Sequence, residues 1–265
     1  DAVSCRLPNN GRYLFQNLSF CVEKNKPLII VGPSGAGRTS LLRILGGLWP
    51  VEKGSLKAPK TTGAGGVLFL PQRPYLSLTT LREQLVYPKL LENYAYESDE
   101  LLMELVRKVG LGYILKDYDL DTCGDWCDIF SGGEQQRIAF VRVLYHRPAF
   151  CIMDEATSAL DEKLEDICMR LCAQYGVTCV SVGHRSTLLK YHQTILRLDG
   201  KCGFSIEEVP DWKAPPPVSA QLPPDSHGGR FRHDADQSSL RSEAVAPLDS
   251  AVSDGFPGHQ SPRRM

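Results

Sequence analysis

The residues best placed to do chemistry are Gly32-Pro33-Ser34-Gly35-Ala36-Gly37-Arg38-Thr39-Ser40, a glycine-rich turn between the apolar run Leu28-Ile29-Ile30-Val31 and a helical run from Thr39 to Leu48. Glycines let backbone N–H groups turn inward on phosphate oxygens, a helix start adds partial positive charge, and the Thr39 hydroxyl suits Mg²⁺. Strand, loop and helix in that order are the context a phosphate cradle needs, so the segment predicts binding of a nucleoside triphosphate. Where the pattern Gly-x-x-x-x-Gly-Lys-Ser/Thr asks for lysine, the chain has Arg38, a planar guanidinium instead of a compact ammonium.

A second constellation lies at Phe150-Cys151-Ile152-Met153-Asp154-Glu155, an apolar strand ending in adjacent carboxylates. The C-terminal edge of such strands is where α/β sheets bind ligands. Alternation along a strand would aim the two carboxylates differently, Asp154 toward a Mg²⁺ shell and Glu155 toward a water aligned on the γ-phosphorus. The bland alternative, a strand ending in a solvated acidic turn, loses weight because a phosphate loop precedes it in the same chain. Ser131-Gly132-Gly133-Glu134-Gln135 then opens a predicted helix over Gln136–Tyr145, with a serine at the cap. This is a second anion-binding helix start, of use if it serves a nucleotide held by another copy. Taken alone, Gln72 reads as a turn residue, and His184, after the apolar strand Thr178–Val182, as a satisfied core histidine.

These groups need a scaffold, and the chain predicts one by alternating strand and helix. Strands are expected at Leu14–Val22, Leu28–Val31, Val67–Leu70, Phe150–Met153, Thr178–Val182 and Thr194–Leu198, with helices from Arg38, over Glu162–Gln174 and near Ser186–Tyr191. Near-continuous apolar strands indicate a mainly parallel sheet covered on both faces, an α/β fold. Between about Leu78 and Arg147 the alternation stops and apolar residues recur at helical spacing, as at Leu101, Leu102, Leu105 and Val109. That stretch, about 78–147, is expected to be an inserted helical subdomain. The folded domain is expected over 1–207. Residues 208–265 read as a Pro/Ser-rich disordered tail, since Lys213–Met265 carries eight of the 18 prolines.

With 265 residues, 42% hydrophobic and 23% charged, the chain has the composition of an ordinary globular protein. A net charge of −1 gives no electrostatic case for nucleic acid as a partner. Its apolar runs fall far short of the ~18 residues a membrane span needs. The chain starts at Asp1 without a basic and apolar leader, so it is expected to be a piece of a longer protein. Nine cysteines, several in apolar stretches such as Cys151 and Cys179, suit reduced thiols. The spacings Cys123/Cys127 and Cys168/Cys172 lack a Cys-x-x-Cys pair or histidine partners, and metal binding there is disfavoured.

Together these residues resemble the nucleotide-binding domain of an ABC transporter over about residues 10–207. Gly32–Ser40 resembles Walker A, Gln72 the Q-loop glutamine, and Ser131–Gln135 the signature. Ala149–Asp154 resembles Walker B with Glu155 as the catalytic glutamate, Ser158-Ala159-Leu160-Asp161 resembles the D-loop, and His184 the switch histidine. The runs Leu45–Pro50, Leu68–Tyr75, Thr80–Gln84 with Tyr87-Pro88, Gly124–Trp126 and Val182–Ser186 are similar to subfamily D, which includes peroxisomal fatty acyl-CoA transporters, the lysosomal cobalamin transporter and bacterial relatives.

The resemblance implies a P-loop NTPase fold: a RecA-like parallel core with an N-terminal antiparallel β part and the inserted helical subdomain. It implies ATP and Mg²⁺ as ligands, the metal near Thr39, Gln72 and Asp154, and catalytic roles for Glu155, His184 and Gln72. It also implies a head-to-tail dimer, homo- or heteromeric, with ATP between the P-loop of one copy and the signature of the other. A six-helix membrane domain would precede Asp1, placing this domain on the cytosolic face of a peroxisomal, lysosomal or bacterial plasma membrane. ATP-driven transport is the function so implied. The alternative, a regulatory ATP-binding module impaired in hydrolysis, follows from Arg38. A soluble ABC protein acting on ribosomes or DNA would carry tandem domains or a long coiled coil, and this sequence has neither. Tyr13, 25 residues before Arg38, is left unassigned as an adenine-stacking residue.

Overall fold

The apolar strands predicted around the glycine-rich loop assemble into one six-stranded sheet. In this computed structural model, residues 1–6, 11–59, 65–88, 98–183 and 185–216 are described, and the statements below concern them. The first strands are β1 (Val3–Arg6), β2 (Tyr13–Leu18) and β3 (Leu28–Val31), followed by helix α1 (Arg38–Leu45) and β4 (Val67–Leu70). Next come β5 (Leu78–Thr80), α2 (Leu81–Val86), α3 (Asp99–Lys108), a 3-10 turn at Gly112–Lys116, β6 (Cys123–Asp125), α4 (Trp126–Ile129) and α5 (Gly132–His146). The chain closes with β7 (Phe150–Asp154), α6 (Glu162–Gln174), β8 (Thr178–Val182), a 3-10 turn at Ser186–Tyr191, β9 (Thr194–Leu198) and β10 (Phe204–Glu208).

The sheet order is β10-β9-β3-β8-β7-β4. Every pairing is parallel except β10 with β9. β1 and β2 form a separate antiparallel pair, and β5 and β6 another. Successive residues of β3 point to opposite faces, and the burial follows that alternation. Ile29 joins a core with Leu68, Leu70, Met153 and residues of α2, α3, α5 and α6, whereas Leu28 and Ile30 join Phe15, Leu41, Leu42, Ile152, Val180 and Leu196 on the other side. Each fully buried Leu or Ile contributes about 1.5–3 kcal/mol. The helical insertion therefore shares the first core with the sheet: Trp126, Phe140 and Val106, all fully buried, belong to the same cluster as Ile29.

Caps fix the helices that matter to the site. Ser131 and Thr80 each form a capping box, with Glu134 and Glu83 respectively, and Asp161 accepts from Leu164 N to start α6. The box at Ser131 starts α5 at Gly132, earlier than the helix expected from Gln136. At the other end of α1 the expected run to Leu48 is cut at Leu45, because Gly47 takes φ 70° and closes the helix. β2 also stops short of Val22, at Leu18, after Asn17 adopts φ 53°. Beyond the expected boundary at 207, β10 runs to Glu208, and Trp212 Nε1 donates to the Lys190 carbonyl at 3.2 Å. The remainder of the expected tail, from 217, lies outside the described residues, as does His184. No helix among the described residues is long and apolar enough to cross a membrane.

Candidate nucleotide site

The glycine-rich loop leaves β3 and enters α1 at the C-terminal edge of the sheet, where β7 also delivers Asp154. Two glycines have distinct constraints. A methyl on Gly32 would lie 2.5 Å from the Leu198 carbonyl oxygen of β9, so the loop's departure demands glycine for packing. Gly35 has φ 77°, and a methyl there would meet no protein atom within 4 Å. Open space beside a loop of turned backbone is what a phosphate cradle requires. Gly37, φ 98°, caps α1 against Leu14 and Phe15. Ala36 is buried and its N–H donates to the Pro33 carbonyl at 3.2 Å, while Pro33 and Ser34 are exposed. Arg38, Thr39 and Ser40 begin α1, half-buried.

The carboxylates meet this loop through short polar contacts. Thr39 Oγ1 donates to Asp154 Oδ1 at 3.2 Å, and Gln72 Nε2 donates to Glu155 Oε2 at 3.1 Å. Strand alternation is not what separates the two acids, as β7 ends at Asp154. Glu155 turns out of the strand with φ 50°, and its N–H is held by the Val182 carbonyl of β8 at 3.0 Å. The pKa of Asp154 lies above the ordinary carboxylate value, through burial first and then the Glu155 charge; the Thr39 hydrogen bond and the Arg43 and Arg38 charges oppose the rise. A hydroxyl beside a carboxylate is an oxygen donor pair suited to Mg²⁺, which keeps waters and substrate phosphates and needs no all-protein cage. The described residues contain no group of three or more His, Cys, Asp or Glu able to hold a metal.

The α5 start is arranged differently from a bare anion cradle. Ser131 Oγ accepts from Glu134 N at 3.4 Å, and Glu134 Oε2 accepts from Ser131 N and Oγ, each at 2.7 Å. Tyr113 donates its hydroxyl to the same carboxylate, and Arg137 donates to Tyr113 and to the Gly110 carbonyl. Gln135 donates to the carbonyls of Phe130 and Cys127 at 2.7 and 3.0 Å. Gly132 and Gly133 pack on Ala159, so the signature-like and D-loop-like segments touch within one copy.

Sequence reasoning missed three residues that organise these segments. Gln136 bonds Gln72, Ser158 and Ala159. Arg185 donates to the Leu160 and Ser158 carbonyls at 2.6 and 2.8 Å. Glu165, fully buried in α6, accepts from Thr157 and Thr187, with Arg185 3.7 Å away. Only a long-range pairing pattern could have flagged Glu165, since its partners lie in other segments. Tyr13 carries the Arg6 guanidinium 4.3 Å from its ring centroid, a face then already covered.

Comparison with known proteins places the fold in a family. A family profile described as ABC transporter matches residues 15–158. The chain belongs to the ABC transporter family. Among curated relatives it is 41% identical over 212 residues to mouse ATP-binding cassette sub-family D member 3, covering 79% of this chain and 32% of that protein. It is 40% identical over 214 residues to the mouse lysosomal cobalamin transporter ABCD4, covering 79% of this chain and 35% of that one. A Dictyostelium discoideum ABC transporter D family member 3 is 39% identical over 207 residues. A bacterial Atm1-family ABC exporter with ATP bound superimposes with a TM-score of 0.62 at 24% identity, over 76% of this chain and 36% of the exporter, a likeness of fold alone. This ABC chain spans about a third of the length of the curated relatives it matches. The fold is that of an ABC ATP-binding domain, a nucleotide-binding module, and these curated relatives are of subfamily D.

Proposed function

We propose that the chain is the ATP-hydrolysing domain of a subfamily D half-transporter, driving passage of a substrate through a membrane domain. Glu155, reached by Gln72 and set apart from Asp154 by the turn at φ 50°, carries this reading, because it puts one carboxylate by the cation-binding hydroxyl and aims the other, held by Gln72, in a different direction. The backbone of Gly32–Thr39 cradles the phosphates, and Arg38 donates to their oxygens as a planar fork. Thr39, Asp154 and, from the Q-loop, Gln72 would hold Mg²⁺, which neutralises developing phosphate charge. Glu155 aligns the water and accepts its proton, and His184 contacts the γ-phosphate.

A second copy packs head to tail, so that Ser131, Gly132, Gly133, Glu134 and Gln135 close over the partner's ATP, with Ser158–Asp161 beside them. Exposed apolar side chains near Gln72 in sequence support a membrane-domain partner: Tyr75 is 59% and Leu78 76% exposed, and the Tyr75 ring lies 5.4 Å from Tyr87. The domain then sits on the cytosolic side of a peroxisomal or lysosomal membrane, with a bacterial plasma membrane as the other setting. Fatty acyl-CoA or cobalamin-like cargo fits the subfamily; the lysosomal relative is named for cobalamin.

Arg38 favours one competing reading, a clamp that closes on ATP and hydrolyses it poorly. Basal ATPase measurement separates the two. An active parent silenced at least 50-fold by Glu155→Gln supports the transporter engine; an inert parent rescued by Arg38→Lys supports the clamp; an inert parent that Arg38→Lys leaves inert removes both.

A further inference from the structure

Gln136 is the first buried residue of α5, only 3% exposed, yet its amide serves two exposed loops. Nε2 donates to the Gln72 main-chain oxygen and to Ser158 Oγ, both at 3.1 Å, and Oε1 accepts from Ala159 N at 2.9 Å. The Gln72 carbonyl can only accept and the Ala159 N–H can only donate, so the amide has one consistent orientation. Glutamate supplies acceptors alone and leucine supplies neither partner. The Gln72 side chain in turn reaches Glu155, whose own carbonyl accepts from Ser158 N at 3.0 Å. These bonds close a ring through Glu155, Gln72, Gln136 and Ser158. Arg185 grips the far side of the same loop, at the carbonyls of Ser158 and Leu160.

We propose that Gln136 is a positioning residue that ties Ser158–Leu160 to Gln72, so that a change at the γ-phosphate side of a copy's own nucleotide is passed to the loop facing the partner's nucleotide. The first half concerns one copy alone; the second rests on the head-to-tail pair proposed above. Without Gln136 the loop keeps its Arg185 anchor and the longer path through Glu155, but loses its direct bridge to the Q-loop.

Amide hydrogen exchange of the full chain, with and without Mg-ATP, tests this. In the parent, Mg-ATP is expected to slow exchange in the peptides containing 72 and 158–160 by at least threefold each. In Gln136→Leu and Gln136→Glu, which leave only the longer path through Glu155, the response at 158–160 is expected to fall by at least half while the response at 72 persists and ATP affinity stays within threefold. Ser158→Ala, an exposed change that cuts one arm, should weaken the response if the buried variants fail to fold. A merely structural role would lower the melting temperature and leave both responses coupled. The proposal falls if residues 158–160 respond to Mg-ATP equally in parent and variants, or do not respond in the parent. Sizing of Glu155→Gln with Mg-ATP reads the pairing separately: absence of a dimer sinks the head-to-tail reading and leaves the exchange result standing.

Discussion

Gly35→Ala and Gly47→Ala form a matched pair that isolates the phosphate cradle from backbone strain. Gly35 has φ 77° and Gly47 φ 70°, and a methyl built on either meets no protein atom within 4 Å. An L-residue forced into the left-handed region costs about 1–2 kcal/mol. For a domain of this size that lowers the melting temperature by roughly 2–8 °C, at 2–4 °C per kcal/mol. Both variants should show that same loss. Binding should separate them, because Gly47 only closes α1 whereas a methyl on Gly35 would enter the open space that the proposed cradle assigns to phosphate oxygens. Overpacking costs about 1–3 kcal/mol, which at about 1.4 kcal/mol per tenfold weakens ATP by about 5- to 150-fold. Thermal melts paired with titration of a fluorescent ATP analogue read both effects. The cradle assignment is refuted if Gly35→Ala binds within twofold of the parent, or if Gly47→Ala weakens binding as much.

Two further outcomes follow from a buried histidine and from the half-buried Thr39. Burial pushes His192 down to about 4, and its ring is fixed between the Leu188 carbonyl and Ser181 Oγ. Its folded pKa lies below the unfolded value, so the stability it gives is whole above about pH 6.5 and is lost as pH falls toward about 4, about 3 kcal/mol in all. His192→Gln should flatten that part of the urea-unfolding profile, and an unchanged slope removes His192 from the account. Thr39→Val keeps the shape of the side chain and deletes the donor to Asp154; the Mg²⁺ concentration giving half-maximal ATPase should rise at least tenfold, and chelation should abolish turnover in the parent. A variant with the parent's Mg²⁺ curve would take Thr39 out of the cation site.

The parts of this domain written in local periodicity were legible. Leu28–Val31, Val67–Leu70, Thr178–Val182 and Glu162–Gln174 appear at the expected bounds, since buried parallel strands and an amphipathic helix each carry their own apolar pattern. β10 was missed because all five of its residues are exposed, which leaves no alternation to read. β5 and β6 have three residues each, too few for a period. The motifs gave the glycine loop and both carboxylates, but their mutual aim depends on tertiary bonds. Glu155 is turned by a hydrogen bond from its N–H to Val182, a contact with a strand that comes later in the chain. Gln136 stood beside the signature in plain view, yet nothing local distinguishes an amide that solvates itself from one that bridges two loops.

Arg38 sharpens the distinction between charge and geometry at this site. Arg38 and Arg43 both act on Asp154 through their charge, opposing the rise caused by burial and by Glu155. An arginine carries the same unit charge as lysine, so the field that neutralises a triphosphate is kept. What changes is reach and shape: a guanidinium donates through a rigid planar fork, whereas an ammonium sits as a point charge between β- and γ-oxygens. In the proposed site, affinity would depend mostly on the summed charge and the backbone cradle, and turnover on where the γ-phosphorus lies relative to a water at Glu155. A lysine-to-arginine exchange should therefore separate the two quantities, leaving ATP affinity nearly intact while slowing the chemical step, and Arg38→Lys is the substitution in which kcat moves and Kd does not.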